Sequence, residues 1–413
     1  MLNIKFILKN KNKIIKFLIY RNYKKLKYLN LIININKKIS KYNKLLQLKL
    51  KIINKYSKDY YKFKNNNNIN FIKKIKKEKK NIKKIIFVYK KKLNFFLLKI
   101  PNIINKLYLT KYKKYINSGV IIYKKKFKKK KKKYLSYLEL SKKIEIFDLI
   151  NASKISGKGF VIYTGFGLKL YKSLVNYLLF MNKKQGYKEY QLPLLVNELS
   201  IYGTGQLPDK VNQIYKIKNS KLYLIPTGEV PLINIFSNKI LDINILPIKL
   251  QAFTYCFRKE AGSYGSKVKG LNRLHQFGKI EIIEIIDKNR SNIRLLNMLK
   301  YIKKILTTLK IDFRIKLIPC KKLNITSSIT FDFEIYSLGQ KKWLEISSLS
   351  NCLDYQSNNL NIFYKKKTNN KIYNCHTLNA SCLSIPRLLI CIIEKYQINN
   401  KNIKIPKILK NFY

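Results

Sequence analysis

The sequence predicts an α+β protein in which a helical coiled-coil arm precedes a body of mixed strands and helices. Three observations carry this reading. Two apolar stripes with heptad spacing, separated by a short polar turn, occupy residues 35–96. From Ser141 onward strand-like and helix-like patterns alternate without a repeat. Between residues 250 and 286 two strand-like segments flank a glycine-rich loop.

The 413 residues allow two or three domains, and a hydrophobic fraction of 46% supplies a substantial core. The net charge of +68 reflects a drift toward Lys that accompanies enrichment in Asn, Ile and Tyr. Such a field favours polyanions and gives salt-sensitive, nonspecific affinity for nucleic acid, so charge alone does not identify an RNA partner. The charge is uneven: only Asp59 and Glu78 are acidic before Glu139, and the other eighteen acids follow. Six cysteines lack CxxC spacing, which fits a reducing compartment and not a structural zinc site. No apolar run approaches the roughly 20 residues of a membrane span; the longest candidate, at 93–109, is broken by Lys99 and Pro101. The chain reads as soluble, with no membrane partner.

In the arm, Ile35, Ile39, Tyr42, Leu46, Ile53, Tyr56, Tyr60 and Phe63 follow an alternating 4-3 spacing, broken at Lys49. After the polar turn at 64–68 the spacing resumes through Phe71, Ile75, Ile82, Ile85, Tyr89 and Phe96, interrupted at Glu78 and Lys92, and stops before Pro101. The expected hairpin spans about 30–63 and 70–99, each arm roughly 45–50 Å long. Periodicity leaves open whether it lies along RNA, packs on the body or joins two copies. Its shortage of acids removes Glu-Lys pairing along the helices and predicts loosening over residues 30–100 when RNA is absent. The Lys-rich run at 127–133 reads as a solvated loop or linker.

The body has no phosphate loop of the GxxxxGK[ST] kind. Residues 250–260 and 275–286 read as strands around the loop at 261–274, an antiparallel hairpin able to close over a ligand. An arginine at a strand end offers a bidentate donor to phosphate or carboxylate, and Glu260 shares its side of the pleat. Arg258 and Glu260 therefore form either a surface pair or the two ends of a nucleotide site.

The full stretch FRKEAGSYGSKVKGLNRLHQF (257–277) resembles motif 2 of the seryl-tRNA synthetases. The resemblance continues in YGTGQLP (202–208), PTGEVPLIN (226–234), EISSLSNCLDYQ (345–356) and HTLNASCLSIPRLLICIIE (376–394), and extends to MLNIKFI at the start and IPNI (100–103). It implies a tRNA-binding domain over 1–110 whose hairpin grips the variable arm of tRNA-Ser, and a basic linker over 111–140. A class II catalytic domain then follows over 141–413, an antiparallel sheet flanked by helices. GYKEYQLPLLV (186–196) resembles motif 1, with Pro193 on the strand of a homodimer interface. The implied reaction activates L-serine with ATP, assisted by Mg²⁺, and passes the seryl group to the 3′ end of tRNA-Ser.

Roles follow from the matched motifs. The resemblance places Arg258 at the α-phosphate and the serine carboxylate, and Arg387 at the γ-phosphate; these two are the expected catalytic residues. Serine binding falls to Thr227, Gly228, Glu229, Arg258, Glu281 and Ser381. ATP binding falls to Arg258, Lys259, Glu260 at the adenine amino group, Leu274 through its backbone, Phe277 against the ring, Glu345, Ile346, Ser347, Ser348 and Arg387. Glu345 and Ser348 match the metal positions. Two carboxylates near one small ligand suit a pocket that reads its ammonium and hydroxyl. His275 and His376 are expected to serve structural hydrogen bonding.

Two departures stand out. Asn379-Ala380-Ser381-Cys382 replaces the usual NGSG, adding a methyl and a thiol close to the expected substrate and predicting slower turnover or altered fit more than inactivity. Ser357-Asn358-Asn359 replaces the usual Ala-Arg-Arg. The alternatives are a catalytically weak paralogue that binds structured RNA, and a ligase of the same fold that loads a carrier protein. With the resemblance beginning at Met1, a cytoplasmic location is expected, and an organelle second.

Overall fold

The structure is a computed structural model that describes residues 1–63, 67–128, 134–208, 210–260, 270–366, 370–399 and 401–413. The chain divides into two compact units, Leu2–Pro101 and Asn102–Tyr413, the second also taking in Met1.

The first unit begins with two short helices, α1 (Ile4–Lys9) and α2 (Lys11–Tyr20), and then forms the hairpin from α3 (Lys27–Phe63) and α4 (Asn67–Lys99). The 33 residues of α4 give an arm of about 50 Å at 1.5 Å per residue. Its seam buries Ile35, Ile39 and Ile53 of α3 against Ile75, Ile82, Ile86, Leu93 and Leu97 of α4. Ile86 and Leu97 take the places expected for Ile85 and Phe96, because a helix of 3.6 residues per turn drifts against a strict 3.5 repeat. Rings close the seam along its length: Tyr28 meets Phe96 at 5.1 Å, Tyr42 stacks on Tyr89 at 5.9 Å, and Tyr56 meets Phe71 at 4.8 Å. Lys49 and Glu78, a break in each stripe, face each other as an ion pair of 2.6 Å. A register slip would separate them and place each charge against the apolar seam, so the two defects specify alignment.

The second unit is built on an eight-stranded sheet: β1 (Val120–Lys125), β2 (Lys188–Glu189), β3 (Ile248–Phe257), β4 (Gln276–Ile286), β5 (Phe313–Leu317), β6 (Ile329–Ser337), β7 (Lys342–Leu353) and β8 (His376–Ser384). Their order across the sheet is β1-β5-β6-β7-β8-β4-β3-β2. Every pairing is antiparallel except that of β2 with β3. Part of the span expected as linker is thus structural: Val120–Lys125 is an edge strand, and Tyr123 packs on Phe313 at 5.6 Å. The flanking lysines mask its apolar positions in the sequence. Residues 129–133 of the basic run lie outside the described residues. Pro193 falls between the short strands Lys188–Glu189 and Leu195–Asn197, not within either.

Three helices, α5 (Gly165–Lys184), α7 (Ser291–Thr308) and α8 (Ile385–Tyr396), pack on the sheet, and α6 (Glu229–Asn234) carries one of the pocket carboxylates. One sheet face carries the neighbours Gln251, Ile282 and Ala380. It meets α5, where Gln251 donates to Leu179 O at 3.2 Å and Cys382 Sγ to Asn182 Oδ1 at 3.1 Å. Tyr301 of α7 donates to the same Asn182 Oδ1 at 2.6 Å. Pleating sends the intervening residues Glu281 and Ser381, which pair across the strands, to the opposite face. All six cysteines are buried and free. Among the described residues no helix is long and apolar enough to cross a membrane.

Candidate active site

The hairpin of β3 and β4 sets the centre of the site. Strand β3 ends at Phe257, so Arg258 and Glu260 lie beyond it, and Glu260 adopts φ 47°. The expectation that pleating places them on one side is therefore corrected: the turn, not the strand, brings them to one cavity. Arg258 N donates to His275 O at 2.9 Å, its Nε donates to Pro226 O at 3.2 Å, and its guanidinium lies 5.2 Å from the Phe277 ring centroid. His275 supports that turn, with Nδ1 lying 3.0 Å from Arg258 O and the ring stacked on Phe160. Glu260 is ion-paired with Arg273.

Two cavities adjoin on this face. The larger, of about 290 Å³, takes in Glu260, Leu274, Phe277, Glu345, Ile346, Ser347, Ser348 and Arg387. The smaller, of about 110 Å³, takes in Thr227, Glu229, Glu281 and Asn379. Arg258, Lys279, Ser348, Ser381, Lys210 and Asn324 line both. Gly228 and Lys259 line neither. Gly228 opens α6, where a Cβ would come within 2.9 Å of Thr254 Oγ1. Lys259 donates its backbone N–H to Gln213 O at 2.9 Å and sets its ammonium 5.8 Å from the Tyr215 ring.

Hydrogen bonds hold the small cavity's carboxylates. Glu281 receives Thr227 Oγ1 at 2.9 Å and Asn379 Nδ2 at 2.8 Å, and pairs with Lys279. Glu229 Oε1 accepts from Gln356 Nε2 at 2.7 Å, and Gln356 Oε1 in turn accepts from Thr377 Oγ1 at 2.6 Å. Burial and then the Glu281 charge raise the Glu229 pKa, against Gln356 and Lys279, which lower it. In the larger cavity, α8 presents Arg387 from its first turn, with Pro386 just ahead of it. Arg387 donates to Glu345 O at 2.6 Å and Asn272 O at 3.1 Å, and burial lowers its pKa. Burial, then the Glu345 charge, pushes Asp332 up to about 7.

Residues 213–396 match the sequence model of the tRNA synthetase class II core domain of the G, H, P, S and T enzymes. The serine–tRNA ligase of Phytoplasma mali is 36% identical over 422 aligned residues, covering all of this chain and 98% of that protein. The chain belongs to the serine–tRNA ligases. The serine–tRNA ligase of Wigglesworthia glossinidia brevipalpis is 38% identical and likewise covers 100% of this chain and 98% of its own. A crystal structure of seryl-tRNA synthetase from Pyrococcus horikoshii complexed with ATP superposes with a TM-score of 0.88 at 25% identity, over 100% of this chain and 98% of that one. A Giardia lamblia prolyl-tRNA synthetase, at 16% identity and a TM-score of 0.58 over 67% of this chain and 56% of that one, shares the fold of the core.

Within this family two departures take on a physical reading. Ala380 and Cys382 are fully buried and line neither cavity, since strand alternation turns them away from Ser381. The methyl and thiol thus border neither cavity, and the closeness on which slower turnover was expected is not what the strand gives. Cys382→Ala is expected to cost roughly 1 kcal/mol through the lost bond to Asn182 while leaving the serine KM within about twofold. Thermal melts and initial rates check both halves. At the positions where the resemblance leads to an expectation of arginines, Asn358 accepts from Asn374 Nδ2 at 2.7 Å and Asn359 donates to Gly203 O at 3.0 Å, while Asn358 Nδ2 is buried without a partner among the described residues.

Sequence reasoning assigned no role to Lys279, Gln356, Asn379 or Arg273. Lys279 and Asn379 sit two residues from Glu281 and Ser381 on the same faces of their strands, a signal that period-two alternation contains. His376, whose Nδ1 lies 2.8 Å from Ser291 Oγ, is lowered to about 4 by burial, against Asp354 and Asp287. The folded protein then binds fewer protons than the unfolded chain between about pH 6.5 and pH 4. Stability from this group is full above about pH 6.5 and lost as pH falls toward 4. The melting temperature is expected to fall less steeply over that window in His376→Gln than in the unaltered protein.

Proposed function

We propose that the two cavities are the serine and ATP halves of one adenylation site, joined at Arg258. The observation that carries this reading is their junction: one guanidinium borders a small polar pocket with two carboxylates and a larger one that receives Arg387. In this reading serine sits in the small cavity, its ammonium toward Glu229 and Thr227 and its hydroxyl toward Glu281 and Ser381. A serine carboxylate oxygen attacks the α-phosphorus of ATP as the bond to the bridging oxygen breaks, giving seryl-adenylate and pyrophosphate. Arg258 holds both reacting groups and stabilises the charge on the α-phosphoryl oxygens, and Arg387 binds the γ-phosphate. Glu260 and Phe277 hold adenine, with Arg273 exchanging its partner on Glu260 as the base enters.

For Mg²⁺, the Glu345 carboxylate and Ser348 hydroxyl supply hard oxygen donors, and Asp332 hydrogen-bonds Ser348. No group of three or more His, Cys, Asp or Glu able to hold a metal occurs among the described residues. In this reading the ion binds together with ATP through these few protein oxygens. When bound, it supplies neutralisation of phosphate charge. The hairpin arm would bind the variable arm of tRNA-Ser, and a homodimer in a cytoplasmic setting completes the proposed assembly.

The test is exchange of labelled pyrophosphate into ATP with serine, alanine, threonine or cysteine supplied. Exchange driven by serine alone supports the site. An inactive protein that still binds tRNA-Ser overturns it in favour of RNA binding without adenylation.

A further inference from the structure

Lys279 reaches into the amino-acid side of the site from beneath it. It is 5% exposed and lies on β4 two residues before Glu281, which is 1% exposed. Its ammonium donates to Thr227 Oγ1 at 2.9 Å and Ser381 Oγ at 3.1 Å, and pairs with Glu281 Oε2. Its three partners are three of the four residues through which the small cavity is expected to read the substrate hydroxyl and ammonium, Glu229 being the fourth. An ammonium has three protons to give, and here each has a partner on the pocket wall. A buried lysine is stable only when compensated in this way.

Two consequences follow. A carboxylate offers about four lone-pair sites on its two oxygens. Thr227, Asn379 and Lys279 occupy three on Glu281, which leaves one acceptor position for an incoming hydroxyl. The charges around the small cavity are Glu229 and Glu281 against Lys210, Arg258 and Lys279, so zwitterionic serine meets both signs there. Without Lys279, Glu281 would lose its ion-pair partner, and the Thr227 and Ser381 hydroxyls would lose the donor that orients them.

We infer that Lys279 is a positioning residue for serine selection, holding the Glu281 carboxylate in place as an acceptor and fixing the Thr227 and Ser381 hydroxyls around the substrate. The inference rests on the assignment of the small cavity to serine. It concerns recognition of the hydroxyl and leaves the ATP half untouched, although Lys279 borders both cavities.

The experiment is pyrophosphate exchange by Lys279→Met, Glu281→Gln and the double variant, with kcat and KM measured separately for serine and ATP, and with alanine as competitor. Lys279→Met is expected to raise the serine KM about tenfold or more and to weaken discrimination against alanine, with the ATP KM within about twofold. In the Glu281→Gln background the same change should add clearly less than it does alone, since part of the lysine's effect runs through that carboxylate and the rest through Thr227 and Ser381. Fully additive effects, or an ATP KM that rises as much as the serine KM, overturn the inference. If Glu281→Gln alone leaves both the serine KM and alanine discrimination unchanged, the serine assignment of the cavity fails and the inference with it. Should Lys279→Met not fold, Lys279→Gln, which keeps hydrogen-bond donors and removes the charge, is measured against the same outcomes.

Discussion

Arg258→Ala is expected to lower serine-dependent pyrophosphate exchange by at least about a hundredfold, the scale set by removing a preorganised donor from a developing oxyanion. The guanidinium is held on one side by its Nε bond to Pro226 O and by the Phe277 ring beneath it, so its orientation is fixed before substrate arrives. In the proposed reaction, charge on the α-phosphoryl oxygens develops where the two cavities meet, and Arg258 lines both. The ground-state interactions that alanine removes are one charge-assisted hydrogen bond and a ring interaction, together roughly 2–4 kcal/mol of stability. Activity should therefore fall far more than the melting temperature. Arg258→Lys should not restore the rate, because an ammonium lacks the planar fork that spans a phosphate and a carboxylate together. Exchange within about tenfold of the unaltered protein in Arg258→Ala would remove Arg258 from the reacting centre.

The parts of this fold that were legible in the sequence are those written in local periodicity. The helices of the arm follow from 4-3 spacing, and the β3–β4 hairpin from apolar alternation around glycines. Features that depend on distant pairing were not legible. Lys49 and Glu78 read as separate flaws until the hairpin brought them together. The strand at 120–125 was hidden by the lysines that surround it, because its partner β5 is nearly two hundred residues away. Motif resemblance named Glu281 and Ser381 and gave no role to Lys279 or Asn379, which fix them through bonds between neighbouring strands. Conversely, Ala380 and Cys382 flank Ser381 in sequence and so read as close to substrate, whereas the pleat sends both into the core, Cys382 onto Asn182. Adjacency along a strand is opposition across the sheet, and that rule separates the pocket residues from their supports.

Removing positive charge from the arm should separate the two half-reactions. Lys37, Lys41 and Lys44 on α3 and Lys83, Lys84 and Lys91 on α4 are exposed along the hairpin. Replacing all six with alanine keeps good helix formers at these positions and leaves the buried isoleucine and leucine seam unchanged. Every lysine–phosphate pair removed from the complex reduces the slope of log affinity against log salt by roughly 0.7–0.9. If half of the six lysines touch RNA, tRNA-Ser affinity near physiological salt should fall about a hundredfold, with a slope shallower by about 2–3. Pyrophosphate exchange, which needs no tRNA, should remain within about twofold, while aminoacylation at limiting tRNA falls with affinity. A nonspecific polyanion effect predicts a different pattern, since lysines anywhere on a chain of +68 would then matter equally. Six exposed lysines of the second unit, Lys142, Lys143, Lys158, Lys169, Lys172 and Lys218, provide that control. Equal losses from both sets would assign tRNA binding to diffuse charge and leave the arm without a specific role, whereas loss confined to the arm set would make the hairpin the element that selects tRNA for the serine site.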